Sequence, residues 1–176
     1  MPARRAALAA LLSLASAALT LPASAADEPE AFASKEGKFK AKFPGKPKES
    51  SQKAAGITFT MYAAEGRDGA CVVGVSDLPI PAGETEQMTQ QRLDGARDGA
   101  VKNVGAKLKD SKPVTLDKKY PGREFSATIT RPKEGVLRAR VYLVGTRLYQ
   151  VMVMGTKDYA ASKEADAFLD SFQVTD

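Results

Sequence analysis

The sequence predicts an α+β fold, a single domain in which one antiparallel sheet is flanked by helices. Three features carry this. Residues 136–154 (VLRARVYLVGTRLYQVMVM) hold two strongly β-forming runs around Gly145-Thr146, a hairpin pattern. Other short runs alternate apolar and polar residues between tight turns, and strands joined by tight turns are antiparallel. Two stretches, near residues 84–104 and 159–172, switch to helix-compatible patterns with apolar positions one turn apart, and each needs a sheet to cover.

Taken in order, residues 38–43 alternate strictly, with Phe39, Ala41 and Phe43 on one side and Lys38, Lys40 and Lys42 on the other. Pro44, Gly45 and Pro47 end that strand, because proline has no amide proton to give to a ladder. The polar run 48–55 reads as a loop. Residues 57–62 alternate again, Ile57, Phe59 and Met61 against Thr58, Thr60 and Tyr62, and Gly66-Arg67-Asp68-Gly69 turns the chain into residues 70–75. That run is more uniformly apolar, which predicts a central strand covered on both faces. Pro79 and Pro81 make 77–83 an extended connector. The first helix then uses Met88, Leu93, Ala96, Ala100, Val101 and Val104 as its apolar face, with Gly105 as its stop. Gly95 and Gly99 weaken it, each by up to about 1 kcal/mol relative to alanine, and are expected to let the helix lie close on the sheet.

Residues 112–116 give a short strand, 118–122 (KKYPG) a turn, and 123–130 a strand with Phe125, Ala127 and Ile129 inward. Residues 131–135 turn the chain into the hairpin. Pairing across Gly145-Thr146 sets Val144 opposite Arg147, Tyr142 opposite Tyr149, Arg140 opposite Val151 and Arg138 opposite Val153. One hairpin face, Leu137, Ala139, Val141, Leu143, Leu148, Gln150, Met152 and Met154, reads as core. The other mixes valines with Tyr142, Tyr149, Arg138, Arg140 and Arg147. In the last helix Ala165, Phe168, Leu169 and Phe172 fall at i, i+3, i+4 and i+7.

The first 25 residues have the parts of a secretory signal peptide: Arg4 and Arg5, an apolar run over 6–21, and Ala23-Ser24-Ala25 as the cleavage site. The apolar run is shorter than the roughly 20 residues a membrane-spanning helix needs. Residues 26–33 read as a flexible leader and 34–176 as the domain. The mature chain is thus expected to be soluble, periplasmic or secreted, with no stable membrane span. Loss of Arg4 and Arg5 removes two positive charges from a formal net charge of +5. What remains is an ordinary solubility balance, without the basic block that a nucleic-acid partner would require. Cys71 is the single cysteine, so no internal disulfide can form, and its apolar neighbours predict a buried, inert thiol.

The segments FKAKFPGKPKE (39–49), YPGREFSA (120–127), RARVYLVGTRLYQVMV (138–153) and AFLDSFQV (167–174) resemble the pattern of PsbP-like bacterial proteins, over about residues 34–174. The resemblance implies an α-β-α sandwich, shared with the extrinsic PsbP subunit of photosystem II and a Ran-binding nuclear import factor. It also implies a role in binding other proteins rather than an activity, since these motifs are structural. Metal binding has been associated with PsbP, but this chain has no histidine to offer.

The same absence removes Ser-His-Asp and Cys-His catalysis and imidazole metal sites. Residues 74–78 (GVSDL) lack the final glycine and the base of a nucleophile elbow. The Ser-Lys neighbours at Ser34, Ser111 and Ser162 point apart, and Asp94 and Asp98, one helical turn apart beside Arg92 and Arg97, read as a solvated face rather than a cation site. No cofactor motif is present. The candidate binding residues are Arg138, Arg140, Tyr142 and Tyr149: both guanidinium groups leave one strand face beside a cross-strand tyrosine pair. If the face is covered, the arginines instead snorkel past a helix. The expected function is an exported, non-catalytic binding or assembly module for another exported protein or an anionic ligand. The alternative is an enzyme that works through carboxylate, lysine or tyrosine groups without histidine. Intact-mass measurement of the secreted form should show a chain beginning at Ala26; an uncleaved, membrane-retained chain would refute the leader assignment.

Overall fold

The computed structural model describes residues 31–54, 56–130 and 133–176. The expected signal peptide (1–25) and residues 26–30 of the expected leader lie outside them, as do residues 131–132 of the turn expected before the hairpin. The chain begins with β1 (Phe32–Ser34) and β2 (Phe39–Ala41), then a meander of β3 (Lys48–Ala54), β4 (Ile57–Glu65) and β5 (Gly69–Asp77). Helix α1 (Glu86–Asn103) follows, then a second meander, β6 (Ala106–Leu116), β7 (Tyr120–Ile129), β8 (Gly135–Val144) and β9 (Arg147–Gly155). The chain closes with α2 (Lys157–Ala160), α3 (Lys163–Asp170) and β10 (Gln173–Val174). The large sheet has the order β3-β4-β5-β9-β8-β7-β6, and a small one the order β1-β2-β10. Every pairing is antiparallel. The expected α+β class, antiparallel and single-domain, is what the chain forms.

The hairpin has the register read from the sequence, Val144↔Arg147, Tyr142↔Tyr149, Arg140↔Val151 and Arg138↔Val153. Gly145 takes φ +59 at the turn, a conformation that costs glycine nothing. Beside it β5 is an inner strand, paired to β4 and β9, and Cys71 is a fully buried free thiol. The side chain of Thr85 accepts from the Met88 amide to cap α1, and Ser162 does the same for α3 from Ala165.

Each sheet face has its own core. Under α1, which lies across β6, β7 and β8, sit Leu93, Phe125, Leu137, Val141 and Leu148. The opposite face is covered by α2, α3 and the small sheet. There Phe168 and Leu169 of the C-terminal stripe, with Ala165 and Phe172, are buried as expected. Phe172 lies 5.9 Å from both Phe39 and Tyr142 and 5.3 Å from Tyr149, ring centre to ring centre. The Tyr149 hydroxyl donates to the Gly37 carbonyl at 3.0 Å, fastening the small sheet to the large one.

Several expectations need correction. Phe32 is not in a leader but in β1, its ring 5.7 Å from Tyr62 and 5.8 Å from Phe43. The polar run 48–55 is not a loop: residues 48–54 form β3, exposed throughout. An edge strand with solvent on both faces needs no apolar alternation, so its pattern is silent. The short strand 112–116 is the end of β6, another edge, where Pro113 is tolerated for the same reason. The turn expected over 118–122 lies earlier, at Asp117 and Lys118, both with positive φ, and Tyr120, Pro121 and Gly122 already belong to β7. Met88 is 42% exposed and lies off the covered face of α1. A Cβ at Gly95 or Gly99 would meet no atom within 4 Å, so these glycines do not bring the helix close to the sheet.

Truncating Phe168, which is 1% exposed and 5.0 Å from the Phe43 ring, should cost about 3–5 kcal/mol. Asp170→Asn, which loses one exposed ion pair, should cost about 0–1 kcal/mol. Thermal melts of the two variants check this; equal small shifts would mean that α3 does not close the core.

Candidate functional site: a cleft beside helix α1

Arg138, Arg140, Tyr142 and Tyr149 share one sheet face, as the register requires, but that face is covered. Tyr142 is 5% and Tyr149 2% exposed, both beneath Phe172, and burial pushes both hydroxyls above the usual phenol range. The two tyrosines therefore present no surface. The arginines snorkel outward past α2 and α3. Arg138 donates through Nη1 to the Ala160 carbonyl at 2.6 Å and to Asp166 at 2.7 Å. Arg140 donates to Glu124 through Nε at 2.7 Å, and through Nη1 to the Leu169 carbonyl at 2.9 Å and Asp170 at 2.7 Å. Helix α3 has no basic residue in its own last turn, so Arg140 brings from the sheet the positive charge that its C-terminus favours. Lys112, Glu124 and Arg140 stand directly opposite one another on β6, β7 and β8, and Lys112 bonds the second Glu124 oxygen at 2.7 Å. Burial works to raise the Glu124 carboxyl, but bonds from Lys112 and Arg140 outweigh it and hold the carboxyl below its usual range.

The residues weighed for catalysis are dispersed. Asp94 accepts from Arg97 at 3.0 Å and Arg123 at 2.8 Å, and Asp98 from Arg97 at 2.8 Å, so arginines occupy the pair where a cation was considered. Ser76 lies within the straight strand β5 rather than on an elbow. Cys71 meets the Tyr159 hydroxyl at 3.4 Å, and burial pushes its thiol up. Among the described residues no group of three or more Cys, Asp or Glu side chains is placed to hold a metal.

The site that sequence reasoning missed is on the opposite face. Helix α1 spans only the β6–β8 half, leaving β3, β4, β5 and part of β9 open. There a cleft of about 350 Å³ lies between α1 and the sheet. Phe59, Met61, Val72, Gly74, Met152 and Met154 line the sheet side; Ala100, Asn103 and Val104 line the helix side. A second lobe of about 370 Å³ shares Phe59, Ala100, Asn103 and Gln150 with the first and continues along α1 past Gly99 and Ala96 to Arg92. Methionine suits such a surface because its flexible, polarisable side chain adapts to the shape it meets. Gln150, Met152 and Met154 were expected in the core; they are instead half-buried and floor this cleft. One signal was present: glycine within a strand (Gly74) and within a helix (Gly99) both mark lost side-chain volume. Neither lobe holds an acid, and Arg92 is the one charged residue lining them. Such a cavity can hold an apolar group but offers no acid-base pair to transform it.

With that geometry in place, the fold compares with known proteins as follows. The solution structure of cyanobacterial PsbP (CyanoP) from Synechocystis sp. PCC 6803 matches with a TM-score of 0.57, over 82% of this chain and 91% of that chain, at 14% identity. The fold is PsbP-like, as the resemblance implied. No protein-family model and no curated protein matches the sequence. Among the described residues no helix is long and apolar enough to cross a membrane.

Replacing Arg138 and Arg140 together with glutamine should lower stability by on the order of 2 kcal/mol, because charged hydrogen bonds to two helix ends are lost. Deuterium exchange should rise over residues 157–172. The Glu124 carboxyl, depressed in the folded state, stabilises the fold above its unfolded pKa, and this is lost as acid protonates it. The double variant should therefore lose less stability between neutral pH and the carboxylate range. An unchanged melting point and acid profile would show that the arginines do not fasten the helices.

Proposed function

We propose that the protein is an exported, non-catalytic binding module that holds an apolar or amphipathic ligand in the cleft between α1 and the open half of the sheet. One observation carries the reading: the face closed elsewhere by α1 is left open over Phe59, Met61, Met152 and Met154 as a largely uncharged hollow, whereas the hollow on the other face is lined with charge at Lys109, Asp110, Glu124, Arg138 and Lys157. Two overlapping lobes of about 350 and 370 Å³ match the roughly 300–1,000 Å³ of small-molecule sites, mostly apolar with a few polar groups. The amides of Gln52, Asn103 and Gln150 are such groups. The cleft holds none of the carboxylate, lysine or tyrosine groups that a histidine-independent enzyme would use; such groups, Lys46, Lys48, Glu65, Asp68, Tyr159 and Glu164, line a separate hollow of about 580 Å³. The sequence resemblance, whose motifs are structural, and the signal-peptide pattern agree with an exported binder.

Gly95 and Gly99 provide a matched test, since a Cβ at either meets open space but only Gly99 lines the cleft. Leucine at either position should also raise helix propensity, so neither change threatens folding. The neutral fluorescent probe N-phenyl-1-naphthylamine should bind the native protein and Gly95→Leu saturably and equally. Gly99→Leu should bind it at least tenfold more weakly. No saturable binding, or the same affinity in all three, would defeat the assignment.

A further inference from the structure

Taking the cleft as the binding site, we propose that its ligand is a single-chain alkyl carboxylate, with the carboxylate on Arg92 and the chain running along Phe59 towards Met61, Met152 and Met154. The two ends of the cleft differ in chemistry. The lobe between α1 and β4-β5-β9 presents three methionines, Val72 and Phe59, and no charged group. The lobe that continues it ends at Arg92. Residues 92, 96, 99, 100 and 103 recur at helical spacing, so they form one side of α1 and make the cleft a continuous channel rather than two separate hollows. From Arg92 to Val104 that side runs about 18 Å at 1.5 Å per residue, the reach of a long alkyl chain.

Arg92 is poised for an anion. Its Nε donates to Glu84, a carboxylate whose side chain is only 8% exposed and which does not line the cleft. This contact holds the guanidinium in place through one nitrogen. The two Nη groups have no partner among the described residues, and the Arg92 side chain keeps 30% of its surface open. A fork of two N–H groups matches a carboxylate in bidentate fashion. An uncharged or cationic head would make no such bidentate pair at the Arg92 end of the channel. Between head and tail, Ala100, Asn103 and Gln150 lie in both lobes and join them into one channel. A ligand with one chain fits because the channel is bounded on one side by α1 and on the other by the sheet.

The test compares dodecanoate, dodecanol and dodecyltrimethylammonium, each below its micelle concentration, as competitors of N-phenyl-1-naphthylamine. Dodecanoate should bind at least tenfold more tightly than the other two, with affinity rising about fourfold for each added methylene until the channel is full. Arg92→Gln should abolish the margin of the acid over the alcohol while leaving the alcohol unchanged. Because that change strands Glu84, the double variant Arg92→Gln, Glu84→Gln is measured beside it and should behave alike. If acid and alcohol bind the native protein equally, or if the margin survives loss of Arg92, the carboxylate inference is overturned while the cleft stands. If Gly99→Leu leaves the binding of all three unchanged, or if none binds, the cleft itself is refuted.

Discussion

The pairing of β5 with β9 is the constraint on which the rest depends. It joins two antiparallel meanders, β3-β4-β5 and β6-β7-β8-β9, into one sheet of seven strands. For β9 to end beside β5, the second meander must start at the far edge, and α1 has to carry the chain there. The helix therefore passes over the strands between its two ends and cannot reach β3 and β4. One face is thus closed over Phe125, Leu137 and Val141 and open over Phe59 and Met61. The cleft is a product of connectivity, since no strand is missing and no helix is displaced to make it.

The other face solves a different problem. Its strands mix valine and tyrosine with arginine, so the covering layer must exclude water from the rings while leaving the charges a way out. Phe168, Leu169 and Phe172 do the first, and the small sheet, tied by Tyr149 to Gly37, extends the cover to Phe39 and Tyr62. The arginines do the second by running along the flank of the helices and ending on carbonyls and carboxylates. Their stems add packing while their heads replace the basic residues that α3 lacks. Arginine and tyrosine on one strand face, a combination common at binding hot spots, here fasten the C-terminal segment to the sheet.

The two faces differ in what covers them. A sealed aromatic core beneath a charged clasp is a device for stability. An open cleft with methionines at one end and a guanidinium at the other is the feature on which the proposed binding role rests. The PsbP-like fold sets the frame for both; Gly74 and Gly99 add no side-chain volume to the hollow that the connectivity leaves, and Arg92 lines one end of it.

The sequence by itself determined the hairpin register, the α+β class, the buried Cys71 and the apolar stripe of α3, because each rests on a local period or turn preference that tertiary contacts reinforce. It determined the inward side of 38–43 for the same reason, with Phe39, Ala41 and Phe43 all buried. What tertiary structure alone decided was which apolar residues find a cover. Leu148 and Met152 lie on the same face of the same strand, and period two treats them alike. Yet Leu148 is 5% exposed under the reach of α1, whereas Met152 is only half-buried on the floor of the cleft. Edge strands such as β3 carry no apolar signal, since solvent lies on both sides of them, and so they too became visible only with pairing. Burial is set by what the connection between strands carries across the sheet, and that is a property of the whole chain path rather than of any window of residues.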